Sequence, residues 1–453
     1  MAASIVAIVD RSGSMVWGSP NSLLTIAKTY ASSFLSSVTS GDSIAVISFE
    51  TGAAMVYPSS QSLVTVTGGP GLPSPERAAA SAAIQGIQLG GGTNMSAAIT
   101  IANSLLLPAA APKGAVLVSD GEANFGLLPP TAAANANIRL FTIGLGQISS
   151  NGQTQLANLA TATGGKYYYA PKGVQLALVY YDIVGAANIS AVVANNAQAP
   201  GPLAIQTFTV PVSTSLPAMA FAVCWEDPAC QFSPNTPVGN QVNVSLQDPS
   251  GNVYSAPTDI GTGYCTFEIP NPPPGIWTFA TWCGQTNAFA GQAGLFERNA
   301  SIQLDLAATR NLIGDGGELE VAASVTDGGA PLTGVSVRAR LRSPAMSVED
   351  AVDLHGERLA AVPLDEDRPP PADALDTALR RARILSSVDP DFELVTYGER
   401  FVPHVEEDKG TYVVGGTYAE VRGSHTVEVE VSGYSPISRS HFRRTSLLSV
   451  VRE

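Results

Sequence analysis

The chain is poor in charged residues, and basic residues are the scarcer kind. Only 14% of its 453 residues are charged, and 24 Lys and Arg stand against 38 Asp and Glu, which gives a net charge of -14. It has no Lys- or Arg-rich run, so neither nucleic acid nor an anionic membrane is expected as a partner. It also has no uninterrupted apolar stretch of about eighteen residues, which argues against a membrane-spanning helix.

Sequence motifs of several enzyme classes are missing as well. The sequence contains no His-Glu-x-x-His zinc motif, no Gly-x-Ser-x-Gly nucleophile elbow and no Gly-x4-Gly-Lys-Ser/Thr phosphate loop. The few histidines are His355, His404, His425 and His441. We therefore expect that the protein is not an enzyme and has no catalytic residues.

Cysteine is rare, and its four copies fall in one window: Cys224, Cys230, Cys265 and Cys283. An even number confined to one module is typical of two disulfides. Four buried free thiols are the alternative, because unpaired cysteine packs as a small hydrophobic residue. A zinc site is disfavoured, since there is no Cys-x2-Cys spacing and no histidine in the window. No charged leader precedes the first apolar run, so the sequence predicts either an intracellular protein or a chain given without its leader.

The length predicts two to four domains, and hydrophobic periodicity divides the chain into three blocks. In residues 1–190 apolar strand-like runs alternate with amphipathic segments, which predicts an α/β fold with a doubly wound, mostly parallel sheet of about six strands. The predicted strands are Ile5–Val9, Ser43–Phe49, Ala53–Tyr57, Gly114–Ser119, Arg139–Gly144 and Lys166–Tyr169; the predicted helices are Leu23–Val38, Glu76–Ile87, Ser96–Leu106, Thr131–Ala136, Gln155–Ala162 and Val174–Ala186.

Residues 191–305, which contain all four cysteines, and residues 306–453 have short β-like segments with Pro- and Gly-rich breaks. This pattern predicts two antiparallel β-sandwiches of Ig-like or jelly-roll-like type. A helical insertion is expected near 365–389, with a helix over Ala372–Val388. Its arginines Arg380, Arg381 and Arg383 are expected to pair with Asp376 and Glu393, also in this block, rather than to form a recognition patch.

Oxygen-bearing side chains follow two of the apolar runs. Asp10, Ser12 and Ser14 come directly after Ile5–Val9, and Asp120 follows Gly114–Ser119. Carboxylates and hydroxyls are ligands for hard divalent cations, and ligands of open α/β sheets bind beyond the carboxyl ends of the strands. Taken alone, Asp-x-Ser-x-Ser is more typical of a capped turn than of an ion site. Near these segments, Glu122 and Asn124 are expected to be solvated loop residues, and Trp17 either a partner contact or a packed loop anchor.

With Thr93, in the run Gly90-Gly91-Gly92-Thr93, these segments resemble the von Willebrand factor A domain and its metal-ion-dependent adhesion site. The resemblance implies that Asp10, Ser12, Ser14, Thr93 and Asp120 share one divalent ion. Mg²⁺ is expected, with Mn²⁺ or Ca²⁺ as alternatives. The module order is similar to that of secreted bacterial A-domain proteins and of calcium-activated chloride channel regulators.

The resemblance implies a function in protein binding or adhesion, in which the ion coordinates an Asp or Glu of a partner protein and the sandwiches act as a spacer. Two alternatives remain: a structural protein in which the ion only stabilises the A domain, and a metal-dependent hydrolase. An extracellular or cell-surface location is expected, and a cytoplasmic one remains open.

Overall fold

The computed structural model describes most of the chain, in ranges separated by short gaps. The described residues are 2–16, 22–60, 62–68, 72–110, 112–121, 123–126, 138–186, 190–212, 216–225, 227, 229–284, 291–298, 300–314, 316–364, 373–389, 391–418 and 420–453. The predicted helix Thr131–Ala136 lies outside these residues. Within them, no helix is long and apolar enough to cross a membrane.

The first block forms a seven-stranded sheet with helices packed on it. The strands are β1 (Ser4–Asp10), β2 (Ser43–Phe49), β3 (Ala53–Tyr57), β4 (Val64–Thr65), β5 (Lys113–Ser119), β6 (Leu140–Leu145) and β7 (Tyr167–Ala170). The helices are α1 (Leu23–Ser36), α2 (Pro75–Gln85), α3 (Met95–Leu106), α4 (Ser150–Ala162) and α5 (Gly173–Ala186), with a 3-10 turn over Gly13–Val16.

The strand order is β3-β2-β1-β5-β6-β7, with β4 also paired to β2. Strands β1, β2, β5, β6 and β7 are parallel, whereas β3 and β4 run antiparallel to β2. Every residue of β1 is buried, as expected for a central strand covered on both faces. The predicted α/β fold class is confirmed.

The order of strands reverses at β1, because the chain places β2 on one side of it and β5 on the other. Open α/β sheets bind ligands at such a point, beyond the carboxyl ends of the strands. Asp10 is the last residue of β1, and Asp120 directly follows β5. The fold thus brings the loops that carry both residues to one edge, which we call the carboxyl edge of the sheet.

Residues 190–298 form two sheets, which we call the first sandwich. One sheet has the order β14-β15-β10-β17-β8 and the other β11-β12-β16-β9, with β13 paired to β12. The strands are β8 (Ser190–Gln198), β9 (Ile205–Val212), β10 (Ala218–Trp225), β11 (Gln231–Phe232), β12 (Gln241–Gln247), β13 (Val253–Tyr254), β14 (Asp259–Gly261), β15 (Tyr264–Pro270), β16 (Gly275–Cys283) and β17 (Gly291–Arg298). The four cysteines of this region are buried and unbonded, so of the two alternatives the structure has free thiols.

Residues 302–452 form the second sandwich, with sheets β18-β20-β25-β24, to which β21 is paired, and β19-β27-β26-β22-β23. Its strands are β18 (Ile302–Ala308), β19 (Leu312–Ile313), β20 (Glu318–Asp327), β21 (Ala330–Pro331), β22 (Ser336–Pro344), β23 (Tyr397–Val402), β24 (His404–Asp408), β25 (Thr411–Tyr418), β26 (Gly423–Ser435) and β27 (Ser440–Arg452). Both sandwiches are mostly antiparallel, as predicted.

A helical insertion separates β22 from β23. It contains α6 (Val348–Leu354), α7 (Gly356–Ala360) and α8 (Ala374–Val388). The side chain of Asp373 caps α8 by accepting a hydrogen bond from the backbone N–H of Asp376. The sequence analysis identified only α8, because α6 and α7 are too short for a clear helical period.

The sandwiches pack directly on the α/β unit. In the first, the Cys224 thiol lies 2.8 Å from Ser33 Oγ and 2.7 Å from the Tyr181 hydroxyl. In the second, Asp182 Oδ1 accepts a hydrogen bond from Leu447 N at 2.9 Å. Apolar residues of both sandwiches, including Ala222 and Leu447, belong to the same core as β1 and α1. Beyond the spacer role expected from the sequence, the sandwiches therefore help to form the core of the first block.

A buried ion pair joins the two sandwiches, and its removal is a test of their packing. Arg444 Nη2 lies 2.6 Å from Glu297 Oε2, and the two side chains are 2% and 0% exposed. We expect Arg444→Ala to lower the free energy of unfolding by about 3 to 5 kcal/mol, because it leaves the Glu297 carboxylate buried without its cation.

Chemical denaturation measures this loss, and Arg340→Ala is the matched control. Arg340 pairs with Glu428 at 3.1 Å, but its side chain is 49% exposed. The control should therefore lose about 1 kcal/mol or less. Equal losses in the two variants would contradict the assignment of a buried ion pair between the sandwiches.

Candidate functional site

The loop after β1 is shaped by hydrogen bonds to the side chain of Asp10. Asp10 Oδ1 accepts a hydrogen bond from the backbone N–H of Ser12 at 2.8 Å. The chain then turns through the 3-10 helix Gly13–Val16. This turn brings the hydroxyls of Ser12 and Ser14 within 3.1 Å of each other. The predicted spacing of two residues therefore places both hydroxyls on one side of the loop.

Asp120 and its neighbour Ser119 close the other side of this cluster. Ser14 Oγ donates to Asp120 Oδ1 at 2.9 Å, and Ser119 Oγ donates to Asp10 Oδ2 at 2.6 Å. Hydrogen bonds thus connect Ser119, Asp10, Ser12, Ser14 and Asp120 in one continuous series. The sequence analysis did not identify Ser119, although its position beside Asp120 at the end of β5 was a usable signal.

Thr93 lies on the loop that packs against these residues. Gly13 N donates to Gly91 O at 2.8 Å, and Gly90 N donates to Arg11 O at 2.7 Å, so the loop before α3 is paired with the loop after β1. Thr93 itself is 4% exposed. Within the described part of the chain, its hydroxyl makes no hydrogen bond to the other four predicted ligands. These backbone hydrogen bonds place the loop that carries Thr93 beside the loop after β1.

The glycines before Thr93 are needed because other side chains approach their backbone closely. A Cβ on Gly90 would lie 2.7 Å from Glu50 Oε2, and one on Gly92 would lie 2.1 Å from the Phe125 ring. Glu50 also forms an ion pair with Arg11 at 3.1 Å. These contacts explain the run of three glycines as a requirement for tight loop packing.

Asn124 holds Thr93 in place, a role that the sequence analysis did not predict. Asn124 Oδ1 accepts a hydrogen bond from Thr93 N at 2.7 Å, and Asn124 N donates to Thr93 O at 3.0 Å. Asn124 is an exposed loop residue, as expected, and in addition its hydrogen bonds hold the backbone of Thr93. Trp17 and Glu122, also considered as neighbours of the site, lie outside the described residues.

The site concentrates negative charge away from water. Asp10 is 0% exposed and Asp120 is 3% exposed. Burial, together with the nearby charge of Asp120, raises the pKa of the Asp10 carboxyl to about 7. Two carboxylates in such surroundings favour a cation between or beside them.

One cation is supplied from the helical insertion. Arg383 Nη1 lies 2.7 Å from Asp120 Oδ2, and the two side chains are 7% and 0% exposed. Of the three arginines in α8, Arg380 pairs with Asp376 as predicted. Among the described residues, Arg383 pairs with Asp120 and with no carboxylate of its own block, and Glu393 pairs with Lys172 of the first block. No local sequence pattern indicates the contact between Arg383 and Asp120, because the two residues are 263 positions apart.

The donor set fits a hard divalent ion. Its side-chain donors are all oxygens, from two carboxylates and the hydroxyls of Ser12, Ser14 and Thr93, and such ligands suit Mg²⁺, Mn²⁺ and Ca²⁺. In the described part of the chain, no three His, Cys, Asp or Glu residues gather as a metal cluster. Any ion here therefore depends on neutral hydroxyls for part of its coordination shell, and the two carboxylates supply no negative charge beyond that of the ion.

The burial of Asp10 leads to a prediction for Asp10→Asn. An amide keeps both contacts without a buried charge, because Oδ1 can accept from Ser12 N while Nδ2 donates to Ser119 Oγ. In EDTA we therefore expect the free energy of unfolding to rise by about 1 kcal/mol or more. Chemical denaturation in EDTA measures the change. Asp10→Ala is the control and should be less stable than Asp10→Asn, because it leaves Ser12 N and Ser119 Oγ without their partner. A loss of stability in Asp10→Asn would contradict this account of the charge.

The sequence of the first block matches a known family model. Residues 5–122 match the model of the von Willebrand factor type A domain. The matched region includes Asp10, Ser12, Ser14, Thr93 and Asp120, whereas the sheet itself continues to Ala170. There is no match to the chain among curated proteins.

Several solved structures are similar to parts of the chain. A von Willebrand factor type A protein from Catenulispora acidiphila is 18% identical, with a TM-score of 0.37, over 72% of this chain and 63% of its own. This chain therefore spans less than two thirds of that relative. Proximal thread matrix protein 1 from the mussel byssus, with a zinc-occupied MIDAS motif, is 18% identical, with a TM-score of 0.33, over 40% of this chain and 45% of its own.

The PilB minor pilin from Streptococcus sanguinis is 16% identical, with a TM-score of 0.34, over 40% of this chain and 60% of its own. The family match and the α/β fold agree with the motifs on which the resemblance was based. Residues 5–122 of this chain are thus similar to a von Willebrand factor type A domain.

Proposed function

We propose that the chain is a metal-dependent protein-binding module. In this proposal Asp10, Ser12, Ser14, Thr93 and Asp120 hold one divalent cation at the carboxyl edge of the sheet. The ion leaves a coordination position for a carboxylate of a partner protein. The family match, which includes all five residues, supports an interaction module over other uses of the fold.

The observation that carries the proposal is the clustering of the oxygen donors. Ser14 Oγ lies 3.1 Å from Ser12 Oγ and 2.9 Å from Asp120 Oδ1, so donors from two separate loops meet at one point. Asp10 adds a second buried carboxylate. A capped turn explains the hydrogen bond from Ser12 N to Asp10, but it does not explain why a second carboxylate from β5 is buried beside the first.

The charge of the donor set also suits binding of an acidic partner. The negative charge of two carboxylates balances the charge of a divalent ion without exceeding it. The ion therefore still attracts a further anionic oxygen. Mg²⁺ is the proposed ion, with Mn²⁺ and Ca²⁺ as alternatives. Mg²⁺ typically keeps several waters in its octahedral shell, and one of them is the position that an Asp or Glu of the partner would take.

The proposed role is binding and not catalysis, at an extracellular or cell-surface location. A metal-activated water needs a general base within hydrogen-bond reach. Among the described residues that form the site, the carboxylates are Asp10 and Asp120, and both are assigned to the ion. The four histidines belong to the second sandwich and its insertion; His425, for example, contacts Ser343 Oγ and Val421 O.

The metal site is tested by titrating the purified full chain with Mn²⁺ and measuring free Mn²⁺ by electron paramagnetic resonance. We expect one bound ion in the wild type and at least a tenfold loss of affinity in Asp10→Ala and in Asp120→Ala, because each removes a charged ligand. Asp353→Asn removes an exposed carboxylate from α6 and should leave the affinity unchanged. Equal affinities in all four proteins would contradict the proposed ligands.

Partner binding is tested by pull-down from the source organism, with Mg²⁺ or EDTA in the buffer. Proteins that bind in Mg²⁺, are released by EDTA and are not retained by Asp10→Ala support capture through the ion. Retention that is unaffected by both EDTA and Asp10→Ala contradicts it. If Mg²⁺ raises the melting temperature without changing retention, the ion has the structural role that is the alternative.

A further inference from the structure

The helical insertion contacts the carboxyl edge of the sheet at several loops. Arg383 reaches Ser14 O in the loop after β1, Asp120 after β5 and Gln147 O after β6. Glu349 of α6 accepts hydrogen bonds from Ser150 N at 3.0 Å and Ser150 Oγ at 2.7 Å. The insertion thus lies on the same loops that carry the proposed metal ligands.

Arg383 fills the centre of this contact. Nη1 donates to Asp120 Oδ2 at 2.7 Å and to Ser14 O at 3.3 Å. Nη2 donates to Gln147 O at 2.8 Å and to Asp120 O at 3.3 Å. Both terminal nitrogens of the guanidinium therefore donate hydrogen bonds to loops at the carboxyl edge. The positive charge of the guanidinium neutralises the Asp120 carboxylate.

The Asp120 carboxylate cannot bind both a divalent ion and the Arg383 guanidinium equally well. Asp120 Oδ1 accepts from Ser14, and Oδ2 is held by Arg383. A divalent ion bound between Asp10, Ser14 and Asp120 would lie close to the guanidinium, in surroundings that screen charge poorly. Repulsion between the two cations makes the presence of one unfavourable for the other.

The insertion contacts an apolar core of the first block through Tyr397 of β23, but the described residues of α8 contribute no side chain to that core. The apolar side chains of the insertion form a cluster of their own, which consists of Val348, Ala351, Leu359, Leu379, Ala382, Phe392, Leu394 and Val395. The contacts described above between Arg383 or Glu349 and the carboxyl edge are polar. Arg383 Nε is also buried without a hydrogen-bond partner among the described residues, so the guanidinium is incompletely satisfied there.

We infer that the helical insertion is an internal competitor of the metal site, in which Arg383 occupies the place of the cation until a divalent ion displaces it. The inference rests on the proposed function, because it assumes that Asp120 is a metal ligand. It adds a two-state regulation to the site: α8 docked on the carboxyl edge with Arg383 on Asp120, or an ion bound and α8 released. A partner carboxylate can reach the site only in the second state.

The test compares the Mn²⁺ affinity of the full-length wild type with that of Arg383→Ala. We expect Arg383→Ala to bind Mn²⁺ on the order of tenfold more tightly, because no cation then competes for Asp120. Arg380→Ala is the matched control, since Arg380 is an arginine of the same helix that pairs with Asp376; its affinity should equal that of the wild type. Glu349→Ala weakens docking without touching Arg383 and should increase the affinity by a smaller factor.

Hydrogen exchange of residues 374–388 provides a second measurement. Exchange should rise on addition of Mn²⁺ in the wild type, and it should already be high without Mn²⁺ in Arg383→Ala. Thermal melts in EDTA verify that each variant is folded. If the wild type and Arg383→Ala bind Mn²⁺ equally, competition is wrong and the proposed metal site stands. If neither binds Mn²⁺, the proposed function fails together with this inference.

Discussion

The burial of two carboxylates beside each other is the constraint on which the rest of the site depends. Asp10 ends the central strand, Asp120 directly follows the neighbouring strand, and both are buried. Burial disfavours their negative charges, which are neutralised by a cation or, for Asp10, by a proton. The surrounding loops stabilise the two carboxylates, because Ser12, Ser14 and Ser119 direct hydroxyls to them. Glu50 and Asn124 hold the glycine loop that places Thr93 nearby.

Most of the α/β unit could be predicted from the sequence, because its signals are local. Strands β2 and β3 were predicted to the residue, and β1 to within one residue at each end. For β1 and β2 the reason is that buried parallel strands read as continuous apolar runs. The motif of oxygen-bearing side chains after β1 could be predicted equally well. Prediction was poorer in the sandwiches, where the sequence indicated only short β-like segments, and β27 carries a buried Arg444 that hydrophobic periodicity does not predict.

The role of Arg383 could not be predicted, because it depends on a contact between distant parts of the chain. The helix was predicted, and so was the pairing of Arg380 with Asp376, which is an i,i+4 contact. The direction in which Arg383 points is decided by how the insertion sits on the carboxyl edge, through contacts such as that of Glu349 with Ser150. The contact between Asn124 and Thr93 could not be predicted for a similar reason, since the two residues are 31 positions apart.

The central question is whether the buried carboxylates bind a divalent ion. Crystals of the full chain grown in Mn²⁺ test this directly. Anomalous diffraction near the manganese edge locates the ion without assumptions about its ligands. The account predicts an anomalous peak within coordination distance of Asp10, Ser12 and Ser14, with Arg383 moved away from Asp120. Ordered density for Arg383 on Asp120, with no peak at this site in saturating Mn²⁺, would contradict it.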